Sequence, residues 1–326
     1  MIALDGRELA TELEAHAPTR VLQADGDLTL ALAPALCRAV EDALAAGSTA
    51  MTIDLRAAKH ADLVGLAALL QCAGAAERAG ATLSIVPSHS LHAPVMAARL
   101  FEELPFVTSA PLEPSEVVPV DAPALATDAP LLARTPRIGL RQPTWEELAL
   151  FERWANDRCL DEMVGSSLLY RCRHLGAYHP EFVREVLASP TSLTLLVEPL
   201  AAPGHPVGFV RIYDVNLVSG IAFLETVVTT GESLRKGWGV EASRLLLAYG
   251  MDVLGLQRVE AKVYAYNVLS ANALRRNGFH QDGVLRAAHR YQGQRWDILV
   301  FSILADEMRA QRARERHPYV GFWDGR

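Results

Sequence analysis

The sequence predicts an α/β (α+β) chain of two domains, each a β-sheet with helices packed on it. Three observations carry that expectation. Apolar residues recur at period two and at period 3.6 in alternation along both halves of the chain, the pattern of strands and helices sharing a core. A stretch dense in proline, residues 108–136, separates two flanks whose element orders differ. Charge changes across it: residues 1–110 carry 7 Lys+Arg against 13 Asp+Glu, whereas residues 137–326 carry 23 against 21. The second half is therefore the better host for an anionic ligand.

The first domain reads in order from residue 20. Residues 20–25 have strand character through Val21 and Leu22, and Gly26-Asp27-Leu28 marks a tight turn. Leu32, Leu36, Val40, Ala43 and Leu44 follow at helical spacing, with Pro34 tolerated in the first turn. Met51, Ile53 and Leu55 alternate with Thr52 and Asp54, a strand with one buried face. Leu66, Leu69, Leu70 and Ala73 form a second helical stripe, and Leu83, Ile85 and Val86 a further strand. In the proline-dense stretch each proline removes a backbone donor and restrains its predecessor, so a linker without ladder or helix is expected.

The second domain opens with a strand over residues 137–141. Thr144 and Glu147 have the spacing of a capping box for a helix containing Leu148, Phe151 and Trp154. A helical region runs to about residue 189, and strand-like runs at 193–197, 207–213 and 221–229 follow as an antiparallel meander. Gly237 and Gly239 then open an amphipathic helix with the stripe Ala242, Leu245, Leu246, Tyr249 and Val253. Glycine there permits positive φ and close backbone approach, and the free amides of a helix start attract anions. A strand at 258–264, a short helix ending at Asn277-Gly278-Phe279, and strand-like runs near 283–290 and 296–304 complete the unit.

Composition excludes several classes. The chain has 326 residues, 50% of them apolar and 21% charged, an ordinary globular balance. A net charge of −7 argues against bulk nucleic-acid binding. No run of roughly 18 uncharged apolar residues is present to span a membrane, and the start of the chain lacks a basic segment followed by an apolar run, so no secretory leader is expected. Cys37, Cys72, Cys159 and Cys172 show no CxxC spacing and read as reduced thiols of a cytoplasmic protein. The ten histidines form no HxH or HxxxH set, so no metal site is expected. Tyr319, Phe322 and Trp323 suggest that the tail docks on the protein's own body or on a second subunit.

Two stretches resemble known families. Gly26-Asp27-Leu28, Thr52-Ile53-Asp54-Leu55 and Ala61-Asp62-Leu63-Val64-Gly65-Leu66 resemble a STAS domain, the module of anti-sigma-factor antagonists, over roughly residues 18–107. In that family the loop reads Asp-Ser-Ser/Thr-Gly and its serine is phosphorylated by a partner kinase. Leu63 and Val64 stand there in this chain and carry no hydroxyl, so no phosphate switch operates at this loop. The resemblance implies a docking or dimerisation module, through a protein partner or self-association. Arg235-Lys236-Gly237-Trp238-Gly239-Val240-Glu241-Ala242, then Asn267-x-x-Ser270, then Asn277-Gly278-Phe279 resemble the GNAT acyltransferase superfamily, nearest its RimJ/RimL-like branch, over roughly residues 137–306. That implies a mixed central sheet splayed between the strands 221–229 and 258–264. One departure is Leu234, where the family often carries Arg or Gln before the first glycine.

The GNAT resemblance implies an N-acetyltransferase using acetyl-CoA, without a metal, on a primary amine of a small molecule or peptide. The pyrophosphate of acetyl-CoA would rest on the amides of Arg235, Lys236, Gly237, Trp238, Gly239 and Val240, with Arg275 or Arg276 near the adenosine phosphates. Val227 and Val228 would pair with the pantetheine arm as a missing strand would, and Asn267 would support the arm or the strand end. Direct attack needs a base, and Glu225 is the candidate. It shares a face with Ile221, Phe223 and Val227, where desolvation favours proton uptake; the alternative is an ion pair with an arginine such as Arg211. Ser270 is the candidate donor to the leaving sulfur or else a helix cap, and Tyr264 and Tyr266 are rival acids. Tyr170, Tyr178, Arg171 and Arg173 in the lid region 159–189 suggest an acidic or peptidic acceptor. The expected domains are residues 1–107, the linker 108–136, the acetyltransferase domain 137–310 and the tail 311–326. Two other functions stay open: a non-catalytic acyl-CoA sensor and a transferase of longer acyl groups.

Overall fold

The computed structural model of the chain describes residues 19–108, 116–121, 131–229, 236–314 and 320–321. Residues 20–97 build three parallel strands, β1 (Arg20–Asp25), β2 (Ala50–Leu55) and β3 (Thr82–Pro87). They are joined by α1 (Ala33–Ala45) and α2 (Leu63–Arg78), and a short α3 (His92–Ala97) follows. The register runs one way, Leu22 opposite Ile53 and Ile53 opposite Ile85. Right-handed crossovers therefore put α1 and α2 side by side on one face. There Leu22, Ile53, Leu36 and Leu66 are fully buried.

A fourth strand, β4 (Glu116–Asp121), completes the sheet order β3-β2-β1-β4. It lies inside the proline-dense stretch and corrects the expectation that no ladder forms there. Its Pro119 pairs in register with Gln23 on an edge strand, the position in a sheet where proline is tolerated. The next short strand, β5 (Ala133–Arg134), also falls in that stretch.

The larger sheet has nine strands in the order β11-β12-β10-β9-β8-β7-β6-β5-β13. Its members after β5 are β6 (Ile138–Arg141), β7 (Leu193–Pro199), β8 (Gly208–Asn216), β9 (Ile221–Val228), β10 (Arg258–Tyr264), β11 (His280–Tyr291), β12 (Gln294–Leu304) and β13 (Val320–Gly321). All neighbours are antiparallel except β9 and β10, so the sheet is mixed, as expected. One face carries α4 (Leu148–Ala155), α5 (Arg158–Val164), α6 (Ser167–Leu175) and α7 (Pro180–Leu187), packed over Leu196, Phe209 and Val227. The other carries α8 (Trp238–Asp252), α9 (Val268–Arg276) and α10 (Ala305–Arg314) over Ile212, Ala222, Leu224 and Phe301. Half of the capping box forms: the Thr144 amide donates to Glu147 Oε2 at 2.9 Å. The tail returns through β13, whose backbone pairs with β5. Tyr319, Phe322 and Trp323 lie outside the described residues.

The two halves touch. The Leu63 amide at the start of α2 donates to the Ser189 carbonyl at 3.0 Å, and the Gln71 amide nitrogen donates to the Val253 carbonyl at the end of α8. Leu63 and Val64, where a phosphorylatable loop would stand, are 1% and 3% exposed. No helix among the described residues is long and apolar enough to cross a membrane.

Candidate active site

At one end of the larger sheet the ladder forks. β9 and β10 pair only from Arg258↔Ile221 to Glu260↔Phe223. Beyond that, β9 runs on to Val228 and β10 to Tyr264 with no ladder between them, which is the expected splay. On its other side β9 pairs with β8, and the Thr229 amide donates to its register partner Val207 at 2.8 Å. An antiparallel ladder alternates, so two residues earlier Val227 also turns its amide and carbonyl to β8. Thr226 and Val228 turn theirs to the fork. Val227 is thus a packing residue, fully buried, and the edge expected of it belongs to Thr226 and Val228.

The start of α8 leans on this edge. Gly237 caps the helix at φ 81°, a left-handed conformation costing other residues about 1 kcal/mol. A Cβ on Gly239 would lie 3.2 Å from Val228 Cγ2, a tight contact that the Val228 side chain would have to ease by a few tenths of an ångström. Ser243 Oγ donates to the Gly239 carbonyl and meets Thr226 Oγ1, both at 2.8 Å, pinning the first turn of α8 to β9. The amides of that turn have no acceptor within the helix, and its dipole adds partial positive charge. Trp238 and Val240 lie in this turn, and the Lys236 ammonium sits 4.7 Å from the Trp238 ring centroid. Arg235 lies outside the described residues. Arg137, which sequence reasoning missed as a site residue, reaches the same turn. Its Nε donates to Glu241 Oε1 at 2.7 Å from 104 residues away in the chain. Only the packing of α8 across the sheet brings it there, and no local pattern signals it.

Glu225 stands two residues past the fork, on the face covered by α4–α7. Its register partner is Arg211, whose Nε donates to Glu225 Oε2 at 2.6 Å. Arg211 is 2% exposed and also donates to Ser167 Oγ at 2.9 Å and Glu185 Oε1 at 3.4 Å. Its guanidinium carbon lies 4.5 Å from the centroid of Tyr213. The ion pair that was the alternative reading of Glu225 is therefore present, and it uses only one oxygen. Glu225 Oε1 is buried and has no hydrogen-bond partner. A buried acceptor left alone costs about 1–3 kcal/mol, so the oxygen awaits a donor.

The remaining predicted residues gather where β10 meets α9. Asn267 caps α9, its Oδ1 accepting the Ser270 amide at 3.1 Å while its Nδ2 donates to the Met163 carbonyl at 2.8 Å. It thus joins α9 to α5. Ser270 is not the cap; it stands in the first turn, half-buried. The Tyr266 hydroxyl donates to the Glu162 carbonyl at 2.6 Å and lies 3.2 Å from His289 Nε2. Burial pushes Tyr266 up to about 12 and raises Tyr264 as well. Tyr264 stacks on His289 at 3.8 Å and Tyr266 on Tyr291 at 4.5 Å. Arg275 lies over the Phe301 ring and donates to Asn272 Oδ1 and Gln281 Oε1.

The lid arginines are paired. Arg173 donates to the Ala155 carbonyl and to Asp161 Oδ2 at 3.1 Å, and Arg171 lies 3.8 Å from Glu185. Tyr170 stacks on His174 and Tyr178 on Trp145. Each of these side chains has a partner in or beside the helical layer α4–α7. No cluster of three metal-ligating side chains occurs among the described residues.

Residues 11–101 match the family described as Mlab, STAS domain, and residues 137–280 match the Acetyltransferase (GNAT) domain family. The protein p20 of Bacillus licheniformis, named an uncharacterized N-acetyltransferase, is 38% identical over 72 residues, 22% of this chain and 40% of its own length. YoaA of Bacillus subtilis strain 168, named likewise, is 36% identical over 73 residues, 22% of this chain and 41% of its own length. The chain thus spans well under half the length of these relatives. The spermidine N-acetyltransferase of Vibrio cholerae, solved with CoA and spermine, superposes with a TM-score of 0.45 at 16% identity, covering 53% of this chain and 99% of that one.

Proposed function

We propose that this chain, which matches a STAS domain family and a GNAT acetyltransferase domain family in its two halves, moves an acetyl group from acetyl-CoA to a primary amine by direct attack. The observation that carries the reading is Glu225 Oε1, buried without a partner beside a fork in the sheet. The fork and the glycine turn suit the cosubstrate. Amides of Gly237, Trp238, Gly239 and Val240, with Lys236 and Arg235, would hold the pyrophosphate; Thr226 and Val228 would offer the arm a strand edge. Acetyl-CoA supplies the thioester that the amine attacks. Arg211 fixes Glu225 through Oε2 and leaves Oε1 to take the proton from the attacking nitrogen. Tyr266 already donates to the Glu162 carbonyl, so Ser270 is the better donor to the departing sulfur. Arg275 on α9 would contact the adenosine phosphates.

The finer assignments rest on the same residues. Asn267, Ser270 and the Asn277-Gly278-Phe279 cap support the RimJ/RimL-like branch. A small-molecule amine suits the site better than an acidic acceptor, because the lid cations are already paired and carboxylates face Arg211. The STAS module, docked on the end of α8, is placed to regulate the domain that carries the site, as a unit over residues 1–107 beside a transferase unit over 137–310. The chain is assigned to the cytoplasm, where free cysteines persist.

Titration with acetyl-CoA, followed by a thiol-release screen of amines, tests the reading. Saturable uptake with release of one thiol per amine modified is expected. Uptake with no release for any amine would make the protein a sensor, and affinity rising with acyl length would make it a transferase of longer groups.

A further inference from the structure

Arg211 holds two carboxylates and can neutralise only one of them. Its three donating nitrogens serve three elements. Nε donates to Glu225 Oε2 on β9 at 2.6 Å, Nη2 to Ser167 Oγ on α6 at 2.9 Å, and Nη1 to Glu185 Oε1 on α7 at 3.4 Å. The Glu225 side chain is 10% exposed and that of Glu185 26%. With all three groups ionised, the cluster carries one negative charge in excess. Excess charge away from water is costly, and a proton removes it.

The surrounding groups decide which carboxylate takes that proton. On β8 the Tyr213 ring stacks on the Arg211 guanidinium. Burial first, and then the Glu225 charge, hold its hydroxyl above the ordinary tyrosine value, so Tyr213 stays neutral. Its neighbour Asp214 is exposed. On α6, Arg171 lies 3.8 Å from Glu185 Oε2. Across the fork on β10, Glu260 accepts from Arg258 Nε at 2.9 Å, and the Lys262 ammonium lies 5.1 Å from the Phe223 ring centroid. Glu185 thus has a second cation and some solvent, whereas Glu225 Oε1 is buried without a partner.

We propose that Glu185 is a positioning residue for the transfer: by engaging Arg211 at Nη1 it leaves the charge of Glu225 incompletely balanced and keeps Oε1 a proton acceptor. This rests on the acetyl-transfer reading above, in which Oε1 takes the proton of the attacking amine. In that step the nitrogen lone pair forms the bond to the acetyl carbon, and the carbon–sulfur pair departs with the sulfur as thiolate. The N–H pair stays on nitrogen as its proton passes to Oε1. Glu185 forms and breaks no bond and acts only through Arg211.

The test is kcat against pH on the full-length protein, followed by thiol release at saturating acetyl-CoA and one saturating amine. The same amine is used for every variant, so its own ionisation is common to all. In Glu185→Gln, Arg211 is left to Glu225 alone. The acid limb of the profile is expected to move down by about one pH unit. Plateau kcat should fall by about three- to tenfold with the acetyl-CoA KM unchanged. Glu185→Asp keeps the charge and should keep the limb. Glu181→Gln removes an exposed carboxylate from the same helix and should leave the limb in place. A merely structural Glu185 would lower the melting temperature and the plateau without moving the limb. An unmoved limb in Glu185→Gln, or one moved as far by Glu181→Gln, would overturn the inference alone. Absence of thiol release in wild type, or undiminished release in Glu225→Gln, would instead defeat the acetyl-transfer reading and this inference with it.

Discussion

Glu225 and Asp62 show how one carboxylate can be asked two different things. Glu225 is held by Arg211 and left half-satisfied, whereas Asp62 is fully used. The Asp62 oxygens accept the Gly65 and Leu30 amides at 2.8 and 2.9 Å, which caps α2 in a site 6% exposed. Burial still pushes Asp62 up to about 6, above the unfolded value of about 3.9. The protonated form is therefore favoured in the fold. Stability from this group is whole below about pH 4 and is lost as pH rises through about 6, a change on the order of 2–3 kcal/mol. Urea unfolding of wild type against Asp62→Asn should show the difference shifting in favour of the variant by that amount between about pH 4 and pH 7. A pH-independent difference would contradict it. Arg211→Ala leaves Glu225 and Glu185 without their shared cation and should cost about 3–5 kcal/mol in the same measurement.

Among the elements, α8 carries the most. Its first turn is set by Gly237 and Gly239, its middle by Leu245 and Leu246, both fully buried, and its end by the contact with Gln71. Gly239→Asp puts a side chain and a negative charge against Val228 and the amide turn. Acetyl-CoA affinity measured by calorimetry should fall at least tenfold, about 1.4 kcal/mol, with the melting temperature nearly kept. Loss of stability with unchanged affinity would contradict the assignment. Elements such as α8 were legible because their apolar stripes and caps are local. The strand β4 was not: Glu116–Asp121 reads as proline-broken linker, and only the open edge of β1 gives it a partner. Nor was Arg137, which reaches α8 through the order of the sheet. Glu225 was legible as a candidate base and Arg211 as its partner, because both lie on strand runs of readable parity. That Oε1 would be left alone depends on where Ser167 and Glu185 stand, which periodicity does not specify.

At the scale of the whole molecule the two domains are not beads on a string. Buried residues of α1, α2 and α8 belong to one continuous apolar core, and Leu63 donates across the junction. Thermal unfolding followed by calorimetry should therefore give one transition, coincident by circular dichroism and tryptophan fluorescence; all the tryptophans, from Trp145 to Trp323, lie in the second half. Two separated transitions would show that the junction contributes little. The proposed regulation of the transferase half by the STAS module would act through this junction. The central claim concerns the fork, the glycine turn and the free oxygen of Glu225 acting together on an amine. It is tested most directly by thiol release from saturating acetyl-CoA in wild type and Glu225→Gln, with acetyl-CoA affinity measured on both. Unchanged affinity with turnover lowered by about 10²–10⁴ is expected; equal turnover in the two proteins would contradict the account.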